Sequence, residues 1–350
     1  MRLMLSKWFS GFFDIQGADR YKILLLSSMF IFIVGGYTVA RELKDAIFMS
    51  IVGREFIPWA KLFSIFVLIP AILLYSKLVD KLRRYKLLYF YSLFYAVVGL
   101  VFTYFLGHPT IGIQNTEQSP YRIFGWIFYF FIEGYSPFVL SIFWAFVNSI
   151  TSPSLAKKGY GVMVGLSKVG GMITAGLACL LMHNTVVRQK LNLSDVTSHQ
   201  LMLGLASILL LFVPLIVKKL MKKIPGYHLH GYEAAYKFEK ARSKAGTAET
   251  GAFSGIKMFF QEPYILGIFS MLFFYEMFNM VLNYQRLHIA QITYDTISGR
   301  TGFLFQQMFI THFIGLFIAF FGTGTLLKWL GERKCLLLIP LGTALFIIYF

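Results

Sequence analysis

Apolar residues gather along the chain into blocks of roughly twenty, separated by short polar or basic stretches. A helix rising ~1.5 Å per residue needs about that length to cross a ~30 Å hydrocarbon core. Nine spans can be drawn, near residues 23–50, 57–76, 87–107, 123–149, 160–182, 200–217, 261–282, 303–325 and 335–350. The pattern predicts an all-α polytopic membrane protein. Residues 1–22 lack the ordered regions of a cleavable signal, because Asp14, Gln16, Asp19 and Arg20 follow the Phe cluster. They are expected to form an amphipathic segment on the cytoplasmic face. The longest polar stretch, 218–257, follows the sixth span and reads as a cytoplasmic basic linker. It divides an N-terminal six-helix half, 23–217, from a C-terminal half, 258–350, that holds three spans and is expected to be incomplete. The basic loop LVDKLRRYKLL (78–88) has a counterpart in LLKWLGERKCLL (326–337), as a parallel repeat of the halves would give.

Composition strengthens this reading. Of 350 residues, 57% are hydrophobic and only 14% charged, against about 25% charged in a soluble domain. The net charge of +17 does not indicate nucleic acid here, since the basic residues lie between the apolar blocks. With the N-terminus inside, 23 of the 33 Lys and Arg fall on the cytoplasmic side, as the positive-inside rule requires. A multi-pass position in the inner membrane, with a cytoplasmic N-terminus, is expected. Cys179 and Cys335 lie in apolar stretches with neither metal-ligand nor disulfide spacing. His228 and His230 form an HxH pair in the basic linker, where solvation is the expected state rather than metal binding. No phosphate-cradling GxxxxGK[ST], no HExxH and no Ser, His and acid set is present. The expectation is a transporter, not an enzyme, with no cofactor and no metal.

The informative residues are charges inside apolar spans, each costing about 2.5–3.5 kcal/mol unless it faces a bundle interior or a water-filled cavity. In the first span Arg41, Lys44 and Asp45 stand at i, i+3 and i+4, on one helical face. They would be interfacial anchors if the span ended at Ala40, but AIFMSIV (46–52) keeps the apolar character going. Span four carries Glu133 as its only acid, with Pro137, Trp144 and Asn148 within about 60° of it around the helix. Lys168 in span five is a partner for that acid or a second anion contact. Glu276 in span seven stands with Tyr275, Asn279 and Asn283 and also fits a structural polar seam. Span five is rich in glycine, with Gly161 and Gly165 in a GxxxG pair and Gly170, Gly171 and Gly176 behind it, which predicts close helix contact or a flexible joint.

Two of these segments resemble a known family. RELKD (41–45) after an apolar helix looks like the Arg-x-x-Lys-Asp element of the ATP/ADP translocase family of plastids and intracellular bacteria. Glu133 followed by FWAFVNSIT (143–151) is similar to that family's fourth span, and GLSKVG (165–170) sits where the family has a Gly-Leu-Gly segment. The resemblance implies a major-facilitator-like helical bundle, with about nine spans present of an expected twelve. It also implies exchange of ATP for ADP and phosphate by alternating access, and a monomer. Of four essential charged residues in the family, Lys44 and Glu133 match the two of the first half, and Glu276 matches the acid of the seventh span approximately. The expected substrate-binding set is therefore Arg41, Lys44, Asp45, Glu133, Trp144, Asn148, Lys168 and Glu276. Two other readings stand beside it. A facilitator of another phosphorylated or anionic metabolite would use the same cations, and a non-transporting membrane protein would need none of them.

Overall fold

A computed structural model of the chain describes residues 17–224 and 261–319, together with Ile15 and scattered positions between 329 and 345. Most of the N-terminal amphipathic segment and of the basic linker lies outside the described residues. Every described element is helical: α1 Gly17–Ile51, α2 Ile57–Lys81, α3 Arg84–Leu106, α4 Ile123–Glu133, α5 Ser141–Ile150, α6 Pro153–His183, α7 Thr185–Lys190, α8 Asp195–Lys223, α9 Pro263–Thr293 and α10 Ile297–Phe317. In lipid no water is available to the backbone, so a helix that satisfies its own N–H and C=O groups is the economical way across.

Seven of the described spans are long and apolar enough to cross a membrane: α1, α2 with the turn before it, α3, α4 joined to α5, α6, α8 and α9. This corrects the nine drawn from the sequence. The eighth falls on α10, where Arg300, Gln306, Gln307 and His312 dilute the apolar residues. The ninth lies largely outside the described residues.

The long central helix is α1. It packs on α6 and α8 along much of its length, and on α4 and α10 besides. Its residues from Glu42 to Met49 are all buried, so the span runs well past Ala40 and carries its charges inside the bundle. Thr174 Oγ1 donates to the Gly35 carbonyl at 3.2 Å, and a Cβ on Gly35 would meet Thr174 Cγ2 at 3.2 Å. Close α1–α6 contact thus rests on Gly35 and the buried Gly170, whereas Gly161 is exposed and takes no part. By contrast, α2 and the first half of α9 present large apolar side chains such as Phe66 and Phe273 outward, as lipid-facing surfaces do.

Two local devices position the interior charges. At the end of α1, Gly53 takes φ 123°, a conformation open to glycine and costly for other residues. The chain turns there through a short 3₁₀ segment, Arg54–Phe56, into α2. The loop before α4 closes over the same helix end: Gln118 Nε2 donates to the Met49 carbonyl at 3.0 Å and the Ser119 amide to the Ile51 carbonyl at 3.1 Å. Carbonyls that a helix end leaves unpaired are satisfied this way. In span four, Pro137 has no N–H to offer the Glu133 carbonyl four residues back. A π-helical turn over Ser136–Leu140 separates α4 from α5 there, and such turns concentrate at functional sites.

Candidate functional site

Around Glu133 the charges of four helices meet. Lys44 Nζ, on α1, donates to Glu133 Oε2 at 2.6 Å, and Lys61 Nζ, on α2, donates to Glu133 Oε1. Both carboxylate oxygens are thereby occupied by lysines. Lys44 Nζ also lies 3.4 Å from Asp45 Oδ1 and 4.3 Å above the centre of the Tyr129 ring, a favourable placement of a cation on an aromatic face. The opposite oxygen of Asp45, Oδ2, accepts a hydrogen bond from Asn283 Nδ2 of α9 at 3.1 Å. Arg286, one turn on, donates through Nη2 to Asn283 Oδ1 at 2.7 Å and to Glu42 Oε2 at 2.8 Å. Arg41 Nε lies 3.9 Å from the other oxygen of Glu42.

Lys61, Glu133, Lys44, Asp45, Asn283, Arg286 and Glu42 thus form one continuous polar chain through α2, α4, α1 and α9. Cations and carboxylates alternate along it, which is what a medium too poor in water to solvate them demands. The helical period explains the arrangement: Glu42 and Asp45 are three residues apart and turn toward α9, while Lys44 turns toward α4. Beside this chain is a cavity of ≈ 440 Å³ lined by Arg41, Lys44, Asp45 and Lys61 on one side. Glu276, Asn279, Asn283 and Tyr284 of α9 line the other. A volume of this order is within the range of small-molecule sites.

Of the eight residues expected from the sequence, Arg41, Lys44, Asp45 and Glu133 come together, and Glu276 faces the same cavity across from them. Trp144 and Asn148 do not join them. Trp144 packs edge-on to Phe30 and Tyr160, and Asn148 Oδ1 accepts from the Tyr160 hydroxyl at 2.6 Å. They lie roughly 16 and 22 Å beyond Glu133 along the span, at ~1.5 Å per residue. Lys168 packs against Gly315 of α10 and makes no ion pair with Glu133. Sequence reasoning missed Lys61, Glu42, Tyr129 and Arg286 as members of the cluster. Lys61 carried a usable signal, a lone cation four residues into an apolar span, but an outer-side anchor has the same appearance.

The chain matches the family described as TLC ATP/ADP transporter over residues 2–343. It is 22% identical over 287 residues to "ADP,ATP carrier protein 5" of Rickettsia bellii, covering 74% of this chain and 55% of that protein. It is 30% identical over 197 residues to the "Plastidic ATP/ADP-transporter" of Solanum tuberosum, 50% of this chain and 31% of that one. With "ADP,ATP carrier protein 3" of Rickettsia felis it shares 27% identity over 186 residues, 46% and 36% of the two chains. The chain spans about half the length of the carrier 5 relatives it matches. No solved structure matches it at a significant level. The match is to the TLC family and not to the major facilitators, which overturns the expectation of a major-facilitator-like bundle. Apolar blocks and basic loops report how many times a chain can cross, and many helical bundles share them.

Proposed function

Because the chain belongs to the TLC ATP/ADP transporter family, we propose that it exchanges ATP and ADP, with phosphate as co-substrate, across the membrane it spans. The observation that carries this reading is the shared hold of two lysines on one membrane acid, Lys44 and Lys61 on Glu133. A nucleotide brings several negative charges into a site of low dielectric constant, and cations already stationed there spare it the full desolvation cost. Glu133, together with Asp45, keeps the two lysines neutralised while the site is empty. A phosphate entering the cavity takes its place as counter-charge, and the carboxylate recovers the lysines when the phosphate leaves. On the α9 side, Tyr284 with Met277 and Met280 offers an apolar and aromatic wall for the base.

Obligatory exchange follows from the same arithmetic. With Glu133 displaced and no phosphate present, Lys61 would stand uncompensated and Lys44 would keep only Asp45, a state costing several kcal/mol. Reorientation of the empty carrier is therefore slow. The six spans before residue 224 are proposed to form one half, with the N-terminus and 218–257 on the cytoplasmic side of an inner membrane. Proteoliposomes preloaded with ADP should take up labelled ATP at least about ten times faster than empty ones, the rate expected if reorientation of the empty site costs ~1.4 kcal/mol more. In the same work, cysteines introduced at Asn115 and Ser243 should be labelled from opposite faces. Equal uptake with and without internal ADP would contradict exchange, and labelling from one face would contradict the orientation.

A further inference from the structure

We propose that Lys61 is the residue that passes from Glu133 to the nucleotide phosphate, while Lys44 is held in place by Asp45. The inference rests on the nucleotide reading above and divides the work of two lysines that the same acid binds. Three observations separate them. First, Lys61 ion-pairs with Glu133 alone among the described residues, whereas Lys44 has Asp45 as a second acid at 3.4 Å. Second, Asp45 Oδ1 is buried and accepts no hydrogen bond, although its other oxygen takes one from Asn283. An unmet acceptor on a buried carboxylate is costly, so Lys44 gains a contact by moving toward Asp45 when Glu133 turns away. Lys61 makes no second ion pair among the described residues, and it lines the cavity that an entering phosphate would occupy. Third, the Lys61 side chain is 32% exposed and that of Lys44 6%, so an incoming phosphate meets Lys61 first.

Chain position supports the division. Lys61 lies on α2, a helix with most of its surface directed to lipid, and its long flexible stem can swing within the cavity that it lines. Lys44 lies on the central helix between Asp45, Glu133 and the Tyr129 ring. Lys61 is then the mobile phosphate ligand, and the Lys44–Asp45 ion pair is the fixed floor beneath it.

A structural role for Lys61, that of neutralising Glu133 and nothing more, makes an opposite forecast in a double substitution. ATP affinity would be measured by equilibrium binding to the purified chain in lipid nanodiscs for wild type, Lys61→Met, Glu133→Gln and the pair combined. Lys61→Met should weaken ATP at least tenfold. Glu133→Gln removes the competing carboxylate and should tighten ATP severalfold. The double variant should stay at least tenfold weaker than Glu133→Gln, because the phosphate ligand is still missing, and Lys61→Arg should restore part of the loss. A double variant that binds ATP as tightly as Glu133→Gln would overturn the role of Lys61 and leave the nucleotide reading intact. Absence of any ATP binding by the folded wild-type chain would overturn both.

Discussion

Lys44→Ala is expected to reduce nucleotide exchange about a hundredfold while the protein still inserts and assembles. Lys44 is almost fully buried, and it faces Glu133, Asp45 and Tyr129 at once. At ~4 Å and an effective dielectric constant near 20, one unit charge contributes about 4 kcal/mol to the binding of another. Loss of hydration offsets part of this, leaving ~2–3 kcal/mol, which corresponds to roughly 30- to 150-fold. Lys44→Arg keeps the charge but replaces a compact ammonium with a planar fork too broad for the space between two carboxylates and a ring. It should retain at most about a tenth of the wild-type rate. A purely structural lysine is separated by a second variant. Combining Lys44→Met with Asp45→Asn removes both members of the pair and should leave exchange as low as in Lys44→Ala. Recovery of exchange in that double variant would assign Lys44 to packing alone, and near-normal exchange by Lys44→Ala would remove the cluster from the transport path.

Arg286→Ala is expected to be the most destabilising of the single changes in this cluster. Glu42 has no exposed surface, and Arg286 donates to it at 2.8 Å. Arg41 is the only other cation within ion-pair range among the described residues, at 3.9 Å. Removing one partner of a buried pair typically costs about 3–5 kcal/mol, because the remaining charge is left without compensation. The loss also frees Asn283 Oδ1 and loosens the tie between α1 and α9. Unfolding titrations with SDS in mixed micelles should show a stability loss of that order for Arg286→Ala. Glu42→Gln with Arg286→Met should recover most of it, since an uncharged pair of similar volume needs no counter-ion. An unchanged titration for Arg286→Ala would mean that water reaches Glu42 and that the α1–α9 tie contributes little.

The extent to which this site could be read from the sequence follows from what helical periodicity reports. Spacing at 41, 44 and 45 places three charges on one face, and the apolar run after them carries the helix onward. In the structure α1 continues to Ile51, with those charges in the bundle. Glu133 stood out as the one acid of its span. Periodicity names a face, though, and not the helix opposite it. Glu133 meets Lys61 across 72 residues and Lys44 across 89, while Asp45 and Glu42 reach α9 across 238 and 244. None of those separations is encoded in a local pattern. Trp144 and Asn148 show the same limit from the other side. They share an azimuth with Glu133, but the π-helical turn at Ser136–Leu140 and several turns of helix intervene, and Tyr160 engages them instead. The span count failed at α10 because Arg300, Gln306, Gln307 and His312 lower its apolar content, while its interior polar residues find partners within the bundle. His312 Nε2 lies 2.9 Å from Thr38 Oγ1, and Thr301 Oγ1 lies 2.9 Å from His199 Nε2.

The claim that joins these results is that the nucleotide phosphate and the Glu133 carboxylate compete for Lys61. A structure of the chain with ATP bound measures this directly. The account predicts phosphate oxygens within hydrogen-bond distance of Lys61 Nζ, Lys44 Nζ drawn onto Asp45 Oδ1, and both lysine contacts to Glu133 opened. ATP bound elsewhere in the protein, with the Lys44–Glu133 and Lys61–Glu133 pairs intact, would contradict it.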